Sequence, residues 1–419
     1  MTGEPPSLTV LVAPSGLKEA LSAPAVTRAI AAGVRRAVPT ARILEVPMID
    51  GGEGFAEALV ERTGGTLHRV RATGPVGVPV DAAFGMLGGV DRKTAVIEMA
   101  AAAGLALVPI GQRDPRRTTS FGVGELILAA LDRGAVDILI GCGDSGVNDA
   151  GAGMAQALGV RLLDAAGNDI GLGGAALARL ERIDITKRDA RLGKVRIRAA
   201  VNWQNVLLGE RGVTRVYAAQ KGATPCQVAE LEQALENFAR CIETATGVDI
   251  RHAPGTGASG GLGAGLVAFA GATLHPRFDL LLGYTDFEKH LAEAEIVLTA
   301  EGEIDGRSVL GKVPGEVGRR AAAHGIPVIA LAGVIGQGGD AVLDHGIDAF
   351  ASIADGCRTR EDSIRNSASL LERAAESAMR MVAAGLRIRR RALSGSKGGG
   401  ARSKKATSPA AANEPLPRP

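Results

Sequence analysis

The sequence predicts an α/β fold built on parallel strands, and three observations carry that expectation. Short apolar, β-branched runs alternate with amphipathic stretches of helical length. Most of those runs feed a glycine-rich turn, and glycine fills 58 of 419 positions, about twice the usual share. Charged residues at 22% and apolar residues at 46% are those of a chain that buries a core.

The expected strands are Leu8 to Ala13, Ile43 to Val46, Thr94 to Glu98, Val136 to Gly141, Val195 to Ala199, Ile296 to Thr299, Pro327 to Ala330 and Ala349 to Ser352. Each is short and mostly apolar or alternating, too brief for a helix. The expected helices are Pro24 to Ala37, Gly54 to Arg62, Gly122 to Asp132, Gln227 to Thr246, Pro314 to Ala323 and Asp362 to Ala384. No internal repeat is visible. The segment from Ala72 to about Thr285 holds most of the glycine-rich loops and the single Trp, whereas both flanks read as simple strand-then-helix units. A second domain inserted into the first produces that pattern.

Composition narrows the function. Aromatics at 3% argue against a reader that stacks single-stranded bases. No uncharged apolar run reaches about 18 residues, and Met1 to Ser7 lacks a basic segment followed by an apolar one. The expected location is the cytoplasm. The four cysteines (142, 226, 241, 357) form no CxxC, and the six His form no HxxxH or HxH pair, so neither a zinc site nor a disulfide framework is indicated.

Charge is uneven. From Arg387 onward nine Lys and Arg stand against one acid, a net of +8, which leaves −5 on the remainder of a chain whose total is +3. Gly, Ser, Ala and Pro dominate this end, so it reads as a solvated tail with at most a nonspecific attraction to nucleic acid or an anionic surface.

Several turns after strands carry residues suited to chemistry. In Ile140-Gly-Cys-Gly-Asp-Ser-Gly-Val-Asn-Asp-Ala-Gly-Ala-Gly153, Gly141, Gly143 and Gly146 satisfy GxGxxG. Three readings stand: a dinucleotide fingerprint with Asp164 as its acid, a self-satisfied backbone turn, or an anion or metal loop. Asn148 and Asp149 interrupt the first of these. Gly306 to Val313 is one letter from the phosphate loop GxxxxGK[ST], with Val313 where a hydroxyl is required and Lys312 as a point charge for phosphate. It follows Glu301-Gly-Glu-Ile-Asp305, so acids and a lysine share one loop. Asp50-Gly-Gly-Glu-Gly54 places two carboxylates on a flexible turn, Ala13-Pro-Ser-Gly-Leu-Lys18 offers a lysine, and Pro254 to Gly265 opens an Ala- and Gly-rich helix.

Taken together, Ala13-Pro-x-x-x-Lys18, Asp50-Gly-Gly-Glu-Gly54, Glu98-Met-Ala-Ala-Ala-x-Gly104-Leu, Arg113-Asp-Pro-x-x-Thr-Thr-Ser120, Asn148-Asp-x-Gly-Ala-Gly153-Met, Gln220-Lys-Gly-Ala223, the Gly255 loop, Gly302-x-Ile-Asp305 and Gly311-Lys-x-Pro314 resemble the bacterial type-1 glycerate kinase family, in order from Leu8 to Ala384. The resemblance implies phosphorylation of D-glycerate by ATP to 2-phosphoglycerate, with Mg2+. It also implies a flavodoxin-like domain formed from both chain ends, residues 8–71 and 286–386, with a second α/β domain inserted at 72–285 and a basic tail at 387–419. D-glycerate and ATP are the expected partners, with no membrane and a homodimer as one state open to it. The sequence departs from the family pattern at Ser15 and Asn202, where Asp is usual, and at Asp144 and Glu303, where Gly and Arg are common.

Phosphoryl transfer asks a protein for alignment and charge neutralisation. Lys18, Lys221 and Lys312 are the expected cations, Asp149, Glu301 and Asp305 the expected magnesium carboxylates, and Asp305 or Asp50 the acid that takes the acceptor proton. Ser15, Glu53, Ser145, Asn148 and Ser259 complete the set as groups facing substrate or phosphate. Two other classes remain open at this point: a nicotinamide oxidoreductase, resting on the three glycines alone, and a non-catalytic binding protein derived from a kinase or a kinase with another hydroxy-acid acceptor.

Overall fold

The computed structural model describes residues 8–17, 20–89, 92–309, 311–356 and 359–396, and of 390–396 the backbone only. The strands in chain order are β1 Thr9–Val12, β2 Arg42–Glu45, β3 Thr66–Thr73, β4 Pro79–Met86, β5 Thr94–Glu98, β6 Asp137–Gly141 and β7 Arg161–Leu163. They continue as β8 Arg182–Asp184, β9 Arg196–Val201, β10 Thr273–Pro276, β11 Ile296–Ile304, β12 Val328–Ile335 and β13 Ala349–Ser352.

Two main sheets divide these strands. The first is wholly parallel in the order β13-β12-β11-β1-β2. Counting its members along the chain gives 2-1-3-4-5, the flavodoxin-like order, whose direction reverses between β1 and β11. Leu11, Val297 and Ala330 point to one face and Val10, Leu298 and Leu331 to the other, so both faces are buried, as parallel strands require. The helix Ala23–Ala37 covers the second face together with the long final helix Ser367–Ser396. These helices touch closely, because a Cβ added at Gly33 would stand 2.2 Å from the Glu372 carbonyl oxygen.

The second sheet runs β10-β9-β6-β5-β4-β3, with the first four parallel and the last two antiparallel. Ile97, Ile138, Ile140 and Val201 pack under the helix Phe121–Asp132. Val96, Leu139 and Ala200 meet the helix Phe55–Thr63 on the opposite side. A small ladder, β7 with β8, lies outside both sheets.

Three differences from the sequence reading concern boundaries. The 71/72 division falls inside β3, which pairs along its whole length with β4. The strands β11 and β12 run several residues beyond their expected ends, to Ile304 and Ile335, because the acidic end of β11 pairs in parallel with Ala332 to Ile335 of β12. The final helix continues to Ser396, past Arg387 where the tail was placed; residues 397–419 lie outside the described residues. Among the described residues no helix is long and apolar enough to cross a membrane.

Candidate functional site

The carboxyl ends of parallel strands are where an open α/β sheet receives ligands, above all at the point where strand order reverses. In the first sheet that point is the gap between the ends of β1 and β11. Ser15 lies at the end of β1, buried, with its backbone N–H and its Oγ both donating to the Ala300 carbonyl at 2.9 Å. That bonding ties Ser15 to the strand, so its hydroxyl is spent on structure. Lys18 lies outside the described residues.

The end of β11 supplies Glu301 and Asp305. Lys312 caps the helix Val313–Ala323, which begins with Pro314 near its N-terminus. Its ammonium lies 3.3 Å from Asp305 Oδ1 and 3.7 Å from Glu301 Oε1. Asp305 is buried, and burial works to raise its pKa; a hydrogen bond from Arg307 and the charges of Lys312 and Arg307 outweigh that and hold the carboxyl below its ordinary value. The helix N-terminus and Lys312 together make a positive end suited to an anion.

The turn after β2 reaches across to the second sheet. Asp50 Oδ1 accepts from Gly52 N–H at 3.1 Å, and Glu53 N–H donates to Asp144 Oδ2 at 3.1 Å. Gly141 and Gly143 are glycine because a Cβ there would lie 2.6 Å from Gly51 O and 2.7 Å from Gly52 Cα respectively. No helix opens after them until Ala152. The GxGxxG pattern therefore serves loop packing, and the nicotinamide reading loses its only support.

Behind this turn the loop Asp144–Ala150 is held from below. Lys221, 2% exposed, donates from Nζ to Ser145 Oγ at 2.9 Å and to Val147 O at 2.6 Å. Burial pushes its pKa down to about 7, with the nearby Asp149 opposing the shift. Asp149 is fully buried and accepts from Ser120 N–H and Oγ, Gly151 N–H and Gly153 N–H, with Thr119 Oγ1 at the longer distance of 3.4 Å. Burial raises its pKa against those bonds.

Asp149, expected among the magnesium carboxylates, thus has both oxygens engaged by buried donors, and Lys221, expected as a phosphate cation, has its ammonium engaged by Ser145 and Val147 beneath the loop. Asn148, also fully buried, donates from Nδ2 to Thr214 Oγ1 at 2.9 Å, while its Oδ1 has no hydrogen-bond partner. Ser259 sits where the helix Ala258–Ala270 is interrupted by left-handed residues, and Gly260 O accepts from Ala150 N–H.

Among the described residues the only non-glycine residues with positive φ are Asp144, Ala150 and Ser259. All three belong to these two facing loops. Such backbone persists where surrounding structure over-determines it, and it gathers at functional sites.

Two residues outside the expected set belong here. Glu98 ends β5 and accepts from Ala56 N–H at 3.4 Å at the start of the helix Phe55–Thr63; burial, with Glu53 adding to it, raises its pKa to about 7 against the backbone donors. Arg277, at the end of β10, donates to Asp50 O at 3.2 Å and to Gly311 O at 3.1 Å. The signal for Glu98 was a lone carboxylate closing a fully buried strand; Arg277 gave no pattern at all. Of the remaining departures, Asn202 ends β9 and its Oδ1 accepts from Gln204 N–H at 3.1 Å, while Glu303 lies 4.0 Å from Arg307.

Comparison with known proteins gives the same reading a name. Residues 10–383 match the model of the glycerate kinase family. The chain is 45% identical over 367 residues to a glycerate kinase of Halalkalibacterium halodurans, covering 88% of this chain and 96% of that one. It is 43% identical to a glycerate 2-kinase of Escherichia coli, covering 91% and 99% respectively. A crystal structure provisionally named glycerate kinase 2, from Salmonella typhimurium LT2, superposes with a TM-score of 0.71 at 43% identity, covering 90% of this chain and 99% of that one. The enzyme described here belongs to the glycerate kinase family.

Proposed function

We propose that the chain transfers the γ-phosphoryl group of ATP to the 2-hydroxyl of D-glycerate, forming 2-phosphoglycerate, in the cytoplasm, with the two sheets acting as two domains. The observation that carries this reading is the placement of Lys312, Glu301 and Asp305 at the strand-order reversal of the first sheet, beside a helix N-terminus. A triphosphate needs that combination of positive charge and carboxylates. The relatives named above support the acceptor.

The donor set also suits magnesium, which takes hard oxygen ligands and keeps waters and phosphate oxygens for the rest of its shell. Glu301 and Asp305 would hold it, the half-exposed Arg307 giving way at Asp305. When bound, the ion neutralises charge on the phosphate oxygens.

Lys312 and the start of its helix meet the transferred group. Asp305, ionised and paired, orients Lys312 and makes a poor base, because a carboxyl held below its ordinary value binds a proton weakly. Asp50 takes the acceptor proton instead: it is 40% exposed and faces the turn that closes on Asp144. Ser145 and Ser259, on the two strained loops opposite, line the acceptor side.

The test is ADP release with Mg2+ and ATP, comparing D-glycerate, L-glycerate, glycerol and no acceptor, with the product then offered to enolase. Release with D-glycerate and direct consumption by enolase is the expected result. Release with none of these acceptors overturns the reading.

A further inference from the structure

The helix Arg277–Leu281 stands between the two sheets, since its Phe278 packs in the core of the first and its Leu281 in that of the second. Its first residue follows β10 directly. The Arg277 side chain, 13% exposed, lies over the Phe278 ring at 4.9 Å and turns away from its own sheet. Nη1 donates to Asp50 O at 3.2 Å and stands 3.6 Å from Asp50 Oδ2; Nε donates to Gly311 O at 3.1 Å, and Nη2 bonds the same oxygen.

Those acceptors belong to two separate turns of the first sheet. One turn carries Asp50, and the other carries Lys312. From the geometry we infer that Arg277 is a positioning residue, a fork from the second sheet that aligns the proton-accepting Asp50 with the phosphate-binding Lys312. This inference rests on the roles given to Asp50 and Lys312 above.

Three features favour a built clamp over a chance contact. The guanidinium is nearly buried and has an aromatic ring beneath it, which restricts its freedom. It spends donors on both turns at once, a planar task that an ammonium cannot copy. Gly311 has a φ of +80°, and a Cβ there would lie 3.1 Å from Asn202 Oδ1, so the Lys312 turn is already pressed against the end of β9. Because donor and acceptors sit on different sheets, the fork forms only while the two sheets are closed on each other.

The single Trp gives a readout independent of turnover. Trp203 follows Asn202, is 39% exposed, and stands 3.6 Å from the position of a Cβ at Gly255. Because Trp203 is joined directly to Asn202, loosening the Gly311 turn from Asn202 is expected to change the exposure of the indole to acrylamide. Arg277→Ala and Arg277→Lys are made in the full chain, and ADP release and quenching are measured with Mg·ATP and D-glycerate. Expected is a fall in kcat of about 10²-fold in Arg277→Ala, the size of a small misalignment of reacting groups. Arg277→Lys should fall nearly as far, with both KM values little changed and quenching raised in both variants. Guanidinium added to Arg277→Ala should restore part of the rate and of the protection from quenching.

An Arg277→Lys enzyme at the wild-type rate would show that charge alone suffices. A rise in acceptor KM with kcat kept would make Arg277 a substrate ligand, and unchanged quenching would show that the turns hold without it. Each result overturns the inference. If Arg277→Ala fails to fold, Arg277→Lys decides by the same readouts. If the wild-type enzyme releases no ADP with these substrates, the proposed function fails, and Trp203 quenching still decides the role of Arg277.

Discussion

Lys312 Nζ lies 3.3 Å from Asp305 Oδ1. The cation proposed to meet phosphate is thus held by the carboxylate at the end of the same strand–turn unit, so the two are expected to act as one group. Removing the ammonium also leaves Asp305 with Arg307 as its remaining cation.

Lys312→Ala is expected to lower kcat/KM for ATP by about 10²-fold to 10³-fold, the usual loss for one charge-stabilising donor. Asp305→Asn should lower it in the same direction, and the double variant should lose less than the two single losses combined. A steady-state double-mutant cycle checks this.

Glu98 binds its proton more tightly in the folded chain, at about pH 7, than its ordinary value of 4.5. Between those two values the folded state holds a proton that the unfolded state lacks, so stability is lost as pH rises through the window. Glu98→Gln should flatten that slope and be more stable than wild type at pH 8, by at most about 3 kcal/mol. Urea unfolding of both proteins across pH 4 to 8 gives the comparison.

Lys221 behaves with the opposite sign. Its folded value of about 7 lies below the ordinary 10.5, so in that window the unfolded chain carries the extra proton and stability rises with pH. Lys221→Met should lose this rise in unfolding experiments between pH 7 and 10. It should also lower kcat, because Ser145 Oγ and Val147 O lose their common donor.

Asp149→Ala should destabilise the fold by about 3 kcal/mol, since the donors of Ser120, Gly151 and Gly153 would be left buried and unpaired. A change in magnesium dependence without a change in melting temperature would instead return Asp149 to the metal.

Legibility in the sequence followed the physical signal. β5 and β6 were plain because each is buried on both faces and has an apolar centre, Ala95 to Ile97 and Ile138 to Ile140. β3 and β4 were missed because they form an antiparallel pair at the sheet edge, where His68, Arg69 and Arg71 break the apolar pattern and Pro79 and Gly85 argue against a strand. The motifs fall on turns that follow strand ends, among them those after β2, β6 and β11. They did not separate the half-buried acid Asp50 from the fully buried acid Asp149, because spacing records residue type and not depth. Arg277 carried no spacing signal, since its partners are backbone carbonyls distant in the chain.

β1 lies between β2 and β11, and its register pairs Val10 with Ile296. On a ribosome this partner emerges after every strand of the second sheet, which has all its members by Pro276. The middle of the chain therefore completes its sheet while β1 and β2 wait as a two-stranded parallel pair, too small to be stable. A nascent chain stalled before β11 would present a finished second sheet with an unfinished, aggregation-prone first one, and that interval is where a chaperone would be needed.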